Sequence, residues 1–155
     1  MREATVIKSD VLVVGHGLAG CSAAISLKEH DRTLDVLLVD KAGVGYGGKA
    51  NKGGCNLIDC PDDVKPSEIS EWQVRKTAEY LIDQDANLEF FSSLRHSILK
   101  LESWGIKMFR NDDGTFRYRP NCPQPWKSVA FENDIVFRLA ACARKLGSRL
   151  WKRSP

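Results

Sequence analysis

Residues 11–29 read VLVVGHGLAGCSAAISLKE, and this stretch decides the fold. It begins with four apolar residues that end at a glycine, which is typical of a short buried strand. The later residues, 19–29, are small, apolar or good helix formers, and they predict a helix. We expect Ala23, Ala24 and Leu27 to face a sheet. The stretch therefore predicts a strand, a glycine turn and a helix in that order.

A second apolar run, Val36–Val39, ends at Asp40 and predicts a second strand. A strand, a helix and another strand of these lengths form a crossover unit, which is right-handed in nearly all known proteins and makes the two strands parallel. We therefore expect an α/β fold that begins a doubly wound parallel sheet.

The three glycines of GHGLAG have the spacing of a dinucleotide cradle. In such a turn the first glycine permits the bend, the second lets the backbone approach a pyrophosphate, and the third lets helix and strand pack closely. Amide groups at the helix N-terminus then face the phosphates. A tight turn between two buried elements is the alternative reading. The residues predicted to bind the cofactor here, His16 through its backbone alone, are Gly15, His16, Gly17, Leu18, Ala19 and Gly20.

Asp40 lies twenty residues after Gly20, at the end of the second predicted strand. An acid at this position can accept hydrogen bonds from the adenosine ribose hydroxyls, and its charge disfavours the ribose phosphate of NADP. The presence of strand, helix and acid together favours dinucleotide binding over a simple turn. We include Asp40 and the adjacent Lys41 in the predicted site.

A second glycine-rich segment, AGVGYGGKANKGG at residues 42–54, follows Asp40 closely, and six of its thirteen residues are glycine. Each glycine inside a helix or strand costs about 0.5–1 kcal/mol relative to alanine, so this segment is predicted to be a loop. Successive backbone N–H groups in such a loop can form an anion-binding nest. FAD and NAD share the first cradle, and a long second glycine loop favours FAD.

Three segments together resemble the N-terminal FAD-binding part of the fumarate reductase and succinate dehydrogenase flavoproteins, a family that includes aspartate oxidase and the adenylylsulfate reductase alpha subunit. They are DVLVVGHGLAGCSAAISL, VLLVDKA and GGKANKGGCNLI, and LESWGIKMFRNDDG and SVAFENDIVFRLAACARKLG add weaker support. In this family the second loop wraps the FAD pyrophosphate and approaches the isoalloxazine ring. The resemblance therefore implies cofactor contacts by Gly48, Gly53 and Gly54. Some members bind FAD covalently through a histidine, and because Gly47 occupies that position, the resemblance implies non-covalent FAD.

The resemblance also implies an FAD-dependent oxidoreductase acting on small carboxylates or related substrates. The family's substrate-binding arginines and its proton-relaying histidine come from a capping domain and later segments, to which no residue here corresponds. We therefore expect a truncated chain without catalytic residues. In the full-length family an iron–sulfur or other electron-transfer subunit is a possible partner. Two alternatives stay open: an NAD-dependent Rossmann dehydrogenase, and a non-catalytic fragment that pairs with a separately encoded remainder.

The whole chain, residues 1–155, is interpreted as one incomplete, Rossmann-like FAD-binding domain. Residues 1–60 form the dinucleotide-binding unit with the second glycine loop, and residues 61–155 form a helical insertion, a small hairpin and a return helix. The expected elements of the second part are a helix from Ser67 or Ser70 through Leu81, a helix carrying Leu88 to Leu101, a hairpin around Asn111–Gly114, an irregular segment at 120–126, and a helix near 134–146.

The composition bears on three further questions: nucleic-acid binding, membrane insertion and metal or disulfide sites. A formal charge of +3 with 43% hydrophobic and 28% charged residues is typical of a globular domain and gives little support to nucleic-acid binding. The longest apolar run is interrupted by glycines, His16 and serines, so we predict no transmembrane segment and a cytoplasmic location. The five cysteines show no disulfide or zinc spacing, and no metal site is predicted. They are Cys21, Cys55, Cys60, Cys122 and Cys142.

Overall fold

A computed structural model describes residues 6–53, 56–120 and 124–152. The chain forms two compact units, the first made of Met1–Gly53 with Asn133–Pro155 and the second of Gly54–Glu132. The strands are β1 (Val11–Val14), β2 (Val36–Asp40), β3 (Asn56–Asp59), β4 (Lys127–Ala130) and β5 (Arg149–Lys152). The helices are α1 (Leu18–His30), α2 (Pro66–Lys76), α3 (Gln84–Ser103) and α4 (Ile135–Lys145), and a short 3-10 turn spans Ala50–Lys52.

The first unit contains a parallel sheet in the order β1-β2-β5. Val11 pairs with Val36 across β1 and β2, and Leu38 pairs with Leu150 across β2 and β5. The central strand β2 is buried along Val36, Leu37 and Leu38, as its apolar run requires. The predicted α/β fold with a parallel, Rossmann-like sheet is confirmed.

Helix α1 packs against α4 and buries one stripe of its surface. That stripe contains Cys21, Ala24, Ile25 and Lys28, which follow the i, i+3, i+4, i+7 spacing of a helix face. Ala23 is exposed, so its predicted inward position was wrong. The buried stripe lies one residue along from the expected one and includes Lys28, which apolar patterning does not count.

The second unit contains the antiparallel pair β3 and β4, in which Asn56 pairs with Ala130. Helices α2 and α3 pack together, and α3 also contacts β3. Helix α2 ends at Lys76, before the predicted end at Leu81. The expected hairpin is present as an antiparallel bridge between Arg110 and Phe116. The strands β3 and β4 were not predicted, because each has four residues and their partner lies far away in the sequence.

Candidate cofactor site

Two glycines fix the turn between β1 and α1. Gly15 has φ +95, a left-handed conformation that favours glycine, and its N–H donates to the Val39 carbonyl at 2.7 Å. A Cβ on Gly20 would overlap the carbonyl oxygen of Gly15. The first glycine therefore makes the bend and the third permits close helix–strand packing, as the spacing predicts.

The N-terminus of α1 is open to an anion. Gly17 stands at the N-cap and provides no side-chain cap, and the first turn contains no acidic residue. The first intrahelical hydrogen bond runs from the Cys21 N–H to the Gly17 carbonyl at 3.0 Å. The N–H groups of Leu18, Ala19 and Gly20 precede that bond and so have no acceptor within the helix. Together with the positive end of the helix dipole, they form a suitable environment for a phosphate.

Asp40 connects the end of β2 to both neighbouring loops. Its Oδ2 accepts the N–H of His16 at 2.9 Å, and its Oδ1 accepts the N–H of Ala42 at 2.9 Å. The Ala42 hydrogen bond, followed by that of His16, holds the pKa of Asp40 below its ordinary value, although partial burial opposes the shift. An ionised carboxylate has about four lone-pair positions, so acceptor capacity is left for ribose hydroxyls.

The side chain of His16 is completely buried. Its Nδ1 lies 3.5 Å from Asp40 Oδ2, and neither ring nitrogen has a hydrogen-bond partner among the described residues. Its carbonyl accepts the thiol of Cys21 at 3.4 Å. Burial, followed by the charge of Asp40, raises the pKa of Cys21 to about 11, which keeps the thiol protonated. The backbone of His16 therefore belongs to the predicted cradle, while its buried ring lies next to Gly47 of the second glycine loop.

The second glycine loop lies against the first. A Cβ on Gly17 would stand 3.4 Å from the Gly48 Cα, and Gly48 itself has φ +75. A Cβ on Gly47 would stand only 2.6 Å from Asp40 Oδ2, so this position has no room for a side chain without rearrangement. The structure thus brings Gly17, Asp40 and Gly48 together from three segments of the sequence.

The remaining residues of the predicted site lie in the sequence at the two ends of the second glycine loop. Lys41 is exposed beside Asp40, and Gly53 is exposed with extended backbone at the end of the 3-10 turn. Gly54 lies outside the described residues, as do Cys55 and Cys122. The assignment of Lys41, Gly53 and Gly54 to cofactor binding stays a prediction, as does that of the residues in the first loop, Asp40 and Gly48.

The geometry fits a dinucleotide. Backbone N–H groups at an uncapped helix N-terminus suit a pyrophosphate, a carboxylate at the end of the next strand suits a ribose diol, and glycines at both loops allow close backbone approach. A comparison with known families agrees with this geometry, since the family model described as FAD binding domain matches residues 10–150. The chain belongs to the FAD-binding-domain family.

Curated relatives place this FAD-binding domain with the fumarate reductase and succinate dehydrogenase flavoproteins. The fumarate reductase flavoprotein subunit of Mycobacterium tuberculosis H37Rv is 30% identical over 115 residues, which cover 72% of this chain and 19% of the relative. The 8-methylmenaquinol:fumarate reductase flavoprotein subunit of Wolinella succinogenes is 26% identical over 106 residues, which cover 68% of this chain and 17% of the relative. The chain therefore spans about a fifth of the length of these relatives.

Solved structures show the same fold for the FAD-binding domain. E. coli quinol fumarate reductase superposes with a TM-score of 0.72 at 18% identity and covers 93% of this chain and 25% of its own. Adenylylsulfate reductase from Archaeoglobus fulgidus superposes with a TM-score of 0.64 at 20% identity and covers 96% of this chain and 24% of its own. At these identities the likeness concerns the fold alone.

Arg110, in the second unit, is paired with an acidic side chain of the same unit. Arg110 pairs with Glu102, with Nη2 2.6 Å from Oε2 and Nε 3.1 Å from Oε1. Its guanidinium also lies over the Phe116 ring, 4.4 Å from the centroid. Arg117 and Arg119, on the same hairpin, are exposed.

Within residues 6–53, 56–120 and 124–152, no helix combines the length and the apolar content that a membrane crossing requires. In those same ranges the acidic, histidine and cysteine side chains form no cluster that could hold a metal ion.

Proposed function

We propose that this chain is the N-terminal, non-covalent FAD-binding portion of an FAD-dependent oxidoreductase of the fumarate reductase and succinate dehydrogenase type. One observation carries the proposal: the second glycine loop contacts Gly17 at the open N-terminus of α1, beside the Asp40 carboxylate. Without the second loop, the first glycine loop would suit NAD and FAD equally well. The convergence of two glycine loops on it is the feature that favours FAD.

Each part of the site has a defined task in this proposal. The N–H groups at the start of α1 bind the pyrophosphate, and Asp40 orients the adenosine ribose. Gly48 and Gly53 let the second loop approach the cofactor closely. Gly47 leaves no nucleophilic side chain at the position where some family members attach FAD, so the bound FAD is expected to be released on denaturation. The flavin supplies hydride-transfer chemistry when it is bound.

The substrate chemistry is assigned to polypeptide outside these 155 residues. The chain spans 19% of the length of the M. tuberculosis relative, which is itself named as a subunit. We propose that the substrate-binding residues and an iron–sulfur or other electron-transfer partner belong to the remaining part of such an enzyme.

We also propose a cytoplasmic location, which cell fractionation with an antibody against the chain would test.

The exposed side chains of β1 support the packing of further polypeptide against this chain. Alternate side chains of β1 are exposed, Leu12 to 56% and Val14 to 79%, although a parallel sheet is normally covered on both faces. We propose that further polypeptide, in the same chain or separately encoded, covers this strand. Co-expression with a downstream reading frame tests this, and the proposal requires that the two products co-purify and that Leu12 and Val14 gain protection from solvent.

Titration with FAD tests the cofactor. Purified chain is mixed with FAD, and quenching of flavin fluorescence and a shift of the visible absorption bands are followed, with NAD titrated in parallel. Acid precipitation of the complex must leave the flavin in the supernatant if binding is non-covalent. Binding of NAD in preference to FAD would support the Rossmann dehydrogenase alternative and overturn the proposal.

A further inference from the structure

The second glycine loop is held at one point by the N-terminal end of α4. Gly45 has φ +83, and a Cβ on it would overlap the Phe137 ring, so the ring lies directly on the loop backbone. The Tyr46 ring meets Phe137 edge-on, with centroids 5.4 Å apart and an interplanar angle of 89°. Phe137 is 41% exposed, so it lies at the surface and makes this contact with one side of its ring.

Asn51 makes a second connection at the same place. Its Oδ1 accepts the N–H of Val136 at 3.1 Å, although 85 positions separate the two residues, and its Nδ2 donates to the Gly45 carbonyl. Only this orientation of the amide satisfies both groups, because one requires an acceptor and the other a donor. Asn51 therefore links the first turn of α4 to the loop backbone.

The side chain of Asn51 caps the N-terminus of helix α4 by accepting the Val136 N–H. The residue at its own N-cap, Asp134, makes no side-chain capping bond, and its Oδ2 accepts instead from Arg138 Nε at 2.7 Å. An acceptor from outside the helix thus satisfies a backbone N–H that would otherwise lack a partner. The same side chain then serves two structures, the helix and the glycine loop.

The anchored point lies next to the cradle. Gly47 and Gly48 lie two and three residues after Gly45 in the loop, and they contact Asp40 and Gly17 respectively. Glycine-rich backbone loses more conformational entropy on ordering than other backbone does, so an unanchored loop would pay that cost when a ligand binds. An anchor at Gly45 reduces this cost before the ligand arrives, which raises affinity by preorganisation.

We propose that Asn51 and Phe137 are positioning residues that hold the second glycine loop against the first and thereby set the affinity of the FAD site. The inference rests on the proposed function for its ligand. Both residues act on the ligand through the loop. Helix α4 thereby becomes part of the cofactor site, although it lies near the far end of the sequence.

A cap that merely stabilises α4 is the competing explanation, and Asn51→Asp separates the two. Aspartate retains an acceptor for the Val136 N–H but has no donor for the Gly45 carbonyl. We expect Asn51→Asp to unfold at about the same urea concentration as the wild type, because a charged cap at the N-terminus of α4 offsets the lost bond to Gly45. It should bind FAD about three- to tenfold more weakly, the effect of one lost hydrogen bond, and the difference should persist at high salt, which screens the added charge. Asn51→Ala removes both connections and is expected to lower both stability and affinity.

Phe137→Ala removes the ring that lies on Gly45, and Phe109→Ala is its matched control. Phe109 is 44% exposed and belongs to the second unit, so its truncation removes a similarly exposed aromatic side chain that is part of neither the second glycine loop nor α4. Phe137→Ala is expected to weaken FAD binding by about three- to tenfold, and Phe109→Ala is expected to leave it unchanged.

Hydrogen exchange of the ligand-free chain tests the anchor without FAD. The peptide covering residues 43–49 is expected to exchange faster in Asn51→Asp and Phe137→Ala than in the wild type and Phe109→Ala. Unchanged exchange in both loop variants, or FAD affinity equal to that of the wild type in both, overturns the inference. A wild-type chain that binds no FAD contradicts the proposed function and the affinity claim, and the exchange measurement then decides by itself whether Asn51 and Phe137 hold the loop.

Discussion

The backbone N–H of His16 donates to the Asp40 carboxylate at 2.9 Å, which ties the first glycine loop to the end of β2. The second oxygen of the same carboxylate accepts from Ala42, where the next loop begins. Asp40 was predicted as a ribose ligand alone. The structure gives it an additional task, because it organises the backbone around the cradle before any ligand is present.

Removing this carboxylate is expected to lower both stability and affinity. Asp40→Ala should reduce the free energy of unfolding by about 1.5–3 kcal/mol, the contribution of hydrogen bonds to a charged group. Asp40→Asn keeps one acceptor oxygen and should lose less. Urea unfolding and FAD titration of both variants check this, with Asp112→Ala as an exposed control. Stability equal to the wild type in Asp40→Ala would show that the two backbone hydrogen bonds do not matter.

The lowered pKa of Asp40 predicts a specific acid sensitivity. Since the folded state holds this pKa below its unfolded value of about 3.9, the stabilisation is fully present above that value and is lost as the pH falls through the folded pKa. Below about pH 4 the wild type should therefore lose more stability than Asp40→Asn. Asp31 and Asp113 also have lowered pKa values, but they are common to both proteins and cancel in the difference. Parallel curves for the two proteins from pH 6 to pH 3 would contradict the expectation.

Two glycines of the first loop should respond differently to alanine. A Cβ on Gly17 would make an ordinary 3.4 Å contact with Gly48, so Gly17→Ala should fold normally. Its methyl group should nevertheless obstruct close approach of the pyrophosphate and weaken FAD binding about tenfold or more. Gly20→Ala places a Cβ on the Gly15 carbonyl and should destabilise the fold by about 1–3 kcal/mol. Equal effects of the two changes on urea unfolding would argue against this division of roles.

The sequence predicts the first unit well because its signals are local. A buried run, three spaced glycines and an acid at the next strand end all lie within 31 consecutive residues, 10–40. The hydrogen bonds that complete the site are a different matter: the His16 N–H bonds to Asp40 within that stretch, and Asn51 bonds to Val136, 85 positions away. No spacing rule encodes them, and in particular nothing in the sequence distinguishes Asn51 from an ordinary loop asparagine. Strands β3 and β4 escaped prediction for the same reason, since pairing rather than local pattern defines them.

Lys28 is a buried residue that patterning cannot predict, and its replacement should be costly. Its ammonium group donates to the carbonyls of Arg32 at 2.6 Å and Leu34 at 2.8 Å, and so closes the connection between α1 and β2. Lys28→Met keeps a similar volume but leaves these carbonyls without this donor, so the free energy of unfolding should fall by about 1–3 kcal/mol. Lys76→Met, at the exposed end of α2, is the control and should change little. Urea unfolding of both variants provides the comparison.

Tyr118 supports a buried charge in the second unit. Its hydroxyl donates to Asp59 Oδ2 at 2.7 Å, and Arg95 Nη2 lies 3.0 Å from the same oxygen. Asp59 is completely buried, so Tyr118→Phe should cost about 1.5–3 kcal/mol at neutral pH, while the exposed Tyr80→Phe should cost almost nothing.

Alkaline pH should reveal the same interaction. Burial, followed by the hydrogen bond to Asp59, raises the pKa of Tyr118 to about 12 from an ordinary value of 10.0. Because the folded state holds the phenolic proton more tightly than the unfolded state does, the stabilisation is fully present below the unfolded pKa and is lost as the pH rises through the folded one. The advantage of the wild type over Tyr118→Phe should therefore shrink between about pH 10 and pH 12. Urea unfolding at pH 8 and pH 11 measures it, and an advantage that stays constant would mean that Tyr118 ionises as freely in the folded chain as in the unfolded one.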